Sequence, residues 1–228
     1  VFLKNLFETL ANKELPTFVN MSDKRNKAKF HFSYQFNPDK SQIENEYEKI
    51  LYDNSIVYQR VSDNINLGIQ GFKERYYKTH FHLDHTNIDE YDSKIKQICQ
   101  NYLEGLVWTL NYYFSGCQNY EWFYPYTHAP FISDLNNFID NFNINDIKFQ
   151  KTTPYKPFSQ LMMVLPPSSK YLLPNSYQTL FTDFKHGLVH NYPDDFAVDM
   201  INKVYYWECP AILPVIDSRE LKNVIDNI

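Results

Sequence analysis

Residues 92–116 read DSKIKQICQNYLEGLVWTLNYYFSG, and the spacing within them decides the fold. Ile95, Ile98, Cys99, Tyr102, Leu106, Leu110 and Tyr113 recur at steps of three and four, the repeat of one helix face. Asp92 is placed to cap the start and Gly116 to end it, so a helix is expected from Asp92 to Phe114. In its second half the apolar residues go nearly all round, which predicts a buried, central position.

On the C-terminal side, residues 122–130 (WFYPYTHAP) are aromatic and broken by Pro125 and Pro130, so regular helix is excluded there. Further helices are expected over 132–142, with Leu135, Phe138 and Ile139 inward, and over 157–165 and 174–181. Residues 196–200 and 204–208 carry the one clear β signal and predict a hairpin. Asp217, with Glu220 three residues on, is expected to cap a terminal helix.

On the N-terminal side, Leu3, Leu6, Phe7 and Leu10 have helical spacing within residues 2–11, whereas 12–40 are polar, Pro-interrupted and expected to form a connection. Ser41 and Glu44 form a capping-box pattern ahead of a helix that shares Ile43, Tyr47, Ile50 and Leu51 on one face. Another helix is expected over 67–78, with Ile69, Phe72 and Tyr76 on one side. The class is therefore mainly α: a helical module with Pro-rich connectors and one small β-hairpin.

Bulk properties exclude several functions. The chain has 228 residues, 43% of them hydrophobic, yet no run approaches the ~20 apolar residues of a membrane span. It opens on Val1, not Met, which fits a fragment or a processed chain. A net charge of −5 argues against binding nucleic acid alone through a basic face, and the run Lys24, Arg25, Lys27, Lys29 is expected to be a solvated loop. Three cysteines at irregular spacing (Cys99, Cys117, Cys209) give neither a disulfide framework nor a zinc pattern, and imply a reducing compartment. With 19 Tyr, 18 Phe and 3 Trp against 5 Gly, phosphate-cradling loops are disfavoured and aromatic surfaces favoured.

Two stretches carry chemistry. Residues 79–85 (THFHLDH) contain His80, His82, Asp84 and His85, the HxHxDH ligand pattern of metallo-β-lactamase-type hydrolases. Its surroundings argue otherwise. The residues before it are charged and helical in character, no glycine follows, and the many strands of that fold are missing. Nor do His31, His128, His186 and His190 sit in segments resembling the other ligand motifs. A solvated loop between helices is the expectation, with a metal-dependent hydrolase as the alternative.

The second stretch begins at Tyr102-Leu103-Glu104-Gly105-Leu106-Val107-Trp108, continues through Tyr112-Tyr113-Phe114-Ser115-Gly116, and ends in Trp122-Phe123-Tyr124-Pro125-Tyr126-Thr127-His128-Ala129-Pro130, with Ser133-Asp134 behind it. It resembles the run Y-x-E-G-L-x-W, YYY-x-G, W-Y-Y-P-Y-H-Y-A-P-x-x-S-D of Xrn/Rat exoribonucleases. Pro157-Phe158-Ser159-Gln160-Leu161, Val164-Leu165-Pro166, Leu173-Pro174, Tyr192-Pro193, Trp207-Glu208 and Leu213-Pro214-Val215-Ile216-Asp217 follow in the family's order. Residues 91–228 therefore resemble the helical second conserved region of that family. Residues 1–90 match loosely, through Asn5-Leu6-Phe7-Glu8-Thr9-Leu10 and Glu74-Arg75-Tyr76-Tyr77.

The resemblance implies a part of a 5′→3′ exoribonuclease acting on 5′-monophosphorylated RNA, cytoplasmic, with a nuclear form as the alternative. It assigns the Mg²⁺-binding carboxylates to an upstream catalytic region, so that this chain alone binds no cofactor and is inert. Its partners would be that region and single-stranded RNA, with no membrane. Trp122 would stack on the terminal bases, while Tyr124, Tyr126 and His128 line the same wall. Packing in the interior is the competing reading for each of these rings, and Trp108 is expected inside. Glu104 would either meet a basic residue across an interface or point to solvent. Thr127-His128 departs from the family's H-Y, which bears on a direct role there. A non-catalytic scaffold derived from the nuclease is a further alternative.

Overall fold

A 30-residue N-terminal helix, α1 (Phe2–His31), lies along a short helix from the middle of the chain, α5 (Ile132–Phe138), and that pairing organises the first half. The computed structural model describes residues 2–31, 34–56, 63–186, 188–201 and 203–226, and of residues 25–31 and 186 the backbone alone. The basic residues Arg25, Lys27 and Lys29, and the rings of His31 and His186, thus have side chains outside the described set. The chain divides into two compact units, Val1–Lys151 and Thr152–Ile228. The loosely matching residues before position 91 thus share the first unit with residues 91–151 of the strongly matching stretch, and the rest of that stretch forms the second unit.

Where a connection was expected from residue 12 onward, α1 continues through Pro16. A proline inside a helix removes one hydrogen bond and crowds the preceding turn, but tertiary contacts hold this helix on both sides of it. Phe7 is buried with Cys99, Leu103 and Leu135. Glu14 accepts the Ser133 backbone N–H at 3.1 Å, and the Phe18 ring meets Phe72 and Phe131 edge-on at 5.6 and 5.8 Å.

Helix α2 (Gln42–Asp53) starts at the expected capping box: Ser41 Oγ accepts the Glu44 N–H and Glu44 Oε2 accepts the Ser41 N–H. Helix α3 (Phe72–Phe81) begins five residues later than the spacing predicted. Gly68 and Gly71, at φ +87 and +79, cannot lie in a right-handed helix, and a Cβ on Gly68 would stand 2.8 Å from the Val19 backbone nitrogen. The turn between them is wedged against α1, and Arg75 fastens it by donating to the carbonyls of Ile65, Gln70 and Ile69.

Helix α4 (Ile88–Ser115) starts earlier than Asp92 because Asn87 caps it, its side chain accepting the Glu90 N–H. Its 28 residues span about 42 Å at 1.5 Å per residue. Its buried residues are Tyr91, Ile98, Cys99 and Leu103, and none lies beyond Leu103. The second half was expected inside, yet Tyr113 and Phe114 are 77% and 83% exposed. The helix outruns the α1–α5 layer that covers it.

The second unit packs α6 (Pro157–Val164) on α8 (Ser218–Ile225), with α7 (Asn175–Gln178) and several 3₁₀ turns between. Its core is Met162, Leu173, Leu180, Phe181, Leu188, Tyr192, Leu221 and Ile225. Asp217 caps α8 as expected, accepting the N–H groups of Arg219 and Glu220. The hairpin exists, but its strands are β1 (Ala197–Val198) and β2 (Ala211–Ile212), antiparallel with Ala197 opposite Ile212. Residues 206–208 form a 3₁₀ turn because the Glu208 carboxylate takes the N–H groups of Val204 and Tyr205, donors a strand would need. The described elements are helical apart from these two short strands, and among the described residues no helix is long and apolar enough to cross a membrane.

Burial fixes the alkaline limit of stability. It pushes the Cys99 thiol and the Tyr91 and Tyr192 phenols up to about 12, and the Tyr77 phenol further still. Once unfolded, these groups ionise near 9 for the thiol and 10 for the phenols. Between those values and about 12 the unfolded chain holds fewer protons than the folded one, so stability falls as pH rises. Urea midpoints followed by circular dichroism should be level up to about pH 9 and then decline toward pH 12; a midpoint unchanged at about pH 11 contradicts this burial.

Candidate nucleic-acid interface

Between α4 and α5 the chain runs as a strap of aromatic residues, 117–131, that laces α4 to α3. Pro125 and Pro130 keep it from coiling, and each ring finds a different seat. Trp122 lies against the overhanging half of α4. Its indole is stacked on Trp108, with centroids 5.8 Å apart and planes 22° apart, and Phe149 meets it edge-on at 5.8 Å. The Trp108 ring is stacked in turn on Tyr112 at 5.6 Å and 11°, so three rings form a ladder. Trp108 was expected inside; it is half-buried, with Nε1–H donating to the Asn119 carbonyl at 2.9 Å. Trp122 is half-buried as well.

Asn119 holds the start of the strap. Its Oδ1 accepts the N–H groups of Glu121 and Trp122, both at 2.7 Å. Tyr124 packs edge-on against Tyr102 of α4 and against Tyr126, while its hydroxyl donates to the His128 carbonyl at 2.8 Å. Burial raises the Tyr124 phenol far above its ordinary range, so it stays protonated and a donor. Tyr126 leans on Phe81 of α3 at 5.4 Å. The His128 ring stacks on His80, also of α3, at 3.6 Å. The four residues predicted to touch substrate thus share one strap but spread along it, from the end of α4 to α3. Glu104, left open by the sequence, is half-buried and accepts from Gln100 Nε2 at 2.9 Å.

The histidine motif is dispersed by the end of α3. His80 is the last-turn residue whose ring meets His128 and the Tyr76 ring. His82 adopts the left-handed conformation at φ 54 and terminates the helix, its N–H donating to the Tyr77 carbonyl. Asp84 is exposed and accepts the Thr86 N–H, and that bond lowers its carboxyl below the ordinary range. The His85 ring turns edge-on to Tyr91 at 5.0 Å. Among the described residues no group of three or more His, Cys, Asp or Glu side chains is arranged to hold a metal ion.

The start of α5 anchors the far end of the strap. Asp134 sits in the first turn of that helix with 13% of its side chain exposed. Its Oδ1 accepts from Lys73 Nζ and its Oδ2 from the Tyr77 hydroxyl, each at 2.6 Å. Tyr77 Oη also accepts the Phe131 N–H, and Tyr76 donates to the Ala129 carbonyl. Ser133 and Asp134 therefore tie the strap to α1 and α3. Lys73, Gly105 and Phe149 were not singled out from the sequence. A glycine inside an otherwise strong helix was the one signal that could have pointed to the second of them.

A family model described as the Xrn1 helical domain matches residues 5–228. The chain is 38% identical over 167 residues to "5'-3' exoribonuclease 2" of Schizosaccharomyces pombe, a match covering 73% of this chain and 16% of that protein. It is 39% identical over 168 residues to the protein of that name in Gallus gallus, covering 73% and 17%. With the one in Candida albicans it shares 32% over 197 residues, covering 83% and 20%. The match thus spans between a sixth and a fifth of these relatives' lengths.

Two outcomes are expected. Asp134→Ala, which strands Lys73 and Tyr77, should cost about 2–4 kcal/mol in urea denaturation; a loss below about 0.5 kcal/mol means the pair is not holding the strap. Metal analysis of the purified chain should find no stoichiometric zinc, before or after His82→Ala. One equivalent that disappears on substitution would restore the hydrolase alternative.

Proposed function

This chain belongs to the Xrn1 helical-domain family, and from that premise we propose that it walls the RNA channel of a 5′→3′ exoribonuclease. The substrate is single-stranded RNA with a 5′ monophosphate. Bond cleavage falls to a catalytic region that carries the Mg²⁺ and is not among these residues. When bound, that ion would activate water and steady the leaving oxygen. This chain supplies grip and enclosure, in the cytoplasm or the nucleus.

The observation that carries the reading is the state of Trp122: an indole held by Trp108 and Phe149 yet half-buried, so that part of its surface still meets solvent. A fixed ring loses little entropy when a base arrives. Stacking on it is sequence-tolerant because every base has a π-face, as a processive exonuclease requires. Tyr124, Tyr126 and His128 contribute chiefly by shaping the strap, since each is engaged with α3 or α4.

The overall charge of −5 suits a wall rather than an independent binder. The isolated chain should accordingly bind single-stranded RNA weakly, and submicromolar affinity at physiological salt in an anisotropy titration would contradict this. In the complete nuclease, Trp122→Ala should weaken RNA binding and slow degradation, by about 1–3 kcal/mol for each base that loses its platform. Unchanged turnover and affinity would remove the stacking role.

A further inference from the structure

Gly105 lies in the interior of α4, where glycine is a weaker helix former than alanine. Unlike Gly68, Gly71 and Gly116, it has no positive φ, so backbone freedom does not account for it. Space does. A Cβ built at Gly105 would stand 2.9 Å from Trp122 Cη2, 3.7 Å from Cζ3 and 3.9 Å from Cζ2. All three atoms belong to the six-membered ring of the indole, whose Cη2 corner therefore points at the bare backbone of the helix. One turn on, Trp108 covers the same indole in a stack. Asn119 ties the pair together, its carbonyl oxygen accepting from Trp108 Nε1 and its side-chain oxygen from the Trp122 backbone N–H.

We infer that Gly105 is a positioning residue for RNA grip: a notch in α4 that, with Trp108, sets the depth and tilt at which Trp122 is offered to a base. This rests on Trp122 as the stacking side chain. The missing methyl is what lets the Cη2 corner of the indole come up against the helix. Adding it pushes the six-membered ring outward and opens the Trp108 stack, while α4 itself gains helix propensity.

The test separates seat from grip. In this chain, the stacked indoles should give an exciton couplet in far-ultraviolet circular dichroism that needs no RNA. Gly105→Ala should keep the helical signal and lose the couplet, as Trp108→Leu should. In the complete nuclease, Gly105→Ala should weaken affinity for a 5′-phosphorylated RNA oligonucleotide roughly 5- to 150-fold, the range of one lost base stack. Adding it to Trp122→Ala should weaken binding no further. Gly105→Ala with Trp122→Phe should recover part of the loss, because phenylalanine lacks the atoms that the new methyl meets. An intact couplet in Gly105→Ala overturns the seat, and losses that add in the double variant overturn the positioning role. A lost couplet with Trp122→Ala at wild-type affinity overturns the stacking reading, and the positioning role with it.

Discussion

The first unit depends on one carboxylate. Asp134 stands at the start of α5 and takes two short hydrogen bonds from α3, one from a cation and one from a buried phenol. Its neighbour Ser133 is held by Glu14 of α1. Three segments far apart in sequence therefore meet at two consecutive residues. A largely desolvated carboxylate is costly unless its oxygens are hydrogen-bonded, and here Lys73 serves one oxygen and Tyr77 the other. That requirement fixes where the aromatic strap must end. Its other end is held by Asn119, so the strap is fastened at both ends and its rings have defined places without regular secondary structure.

Local signals in the sequence were enough for the helices whose ends are decided locally. The box at Ser41 and Glu44, the cap at Asp217 and the proline-opened α6 all form where spacing and side-chain chemistry place them. Failures occur where a distant segment decides. Pro16 would end an isolated helix, yet α5 and Phe131 hold α1 together across it. Residues 67–71 have helical periodicity, but the α1 backbone beside Gly68 imposes a turn. The tail of α4 is apolar all round and reads as interior; nothing within one sequence window reveals that its covering layer stops short.

The site divides in the same way. The order of blocks from Tyr102 to Asp217 was enough to single out Trp122 and its neighbours on the strap. Their distribution was not legible, because each seat is a tertiary contact: Trp122 with a helix position 17 residues earlier, His128 with a ring 48 residues earlier. The histidine motif shows the reverse failure. Its spacing suits metal binding on a strand, but at the end of a helix the same spacing sends His80, His82 and His85 to different surroundings.

The overhang of α4 has a colloidal consequence. Leu110, Tyr113 and Phe114 leave exposed apolar surface at the end of α4, and contiguous surface of that kind favours association. A net charge of −5 opposes such association by mutual repulsion. Concentrated salt screens that repulsion while strengthening apolar attraction. Dilute, mildly alkaline buffer should therefore favour dispersion of the isolated polypeptide, and approach to the sequence pI near 5.8 should favour association.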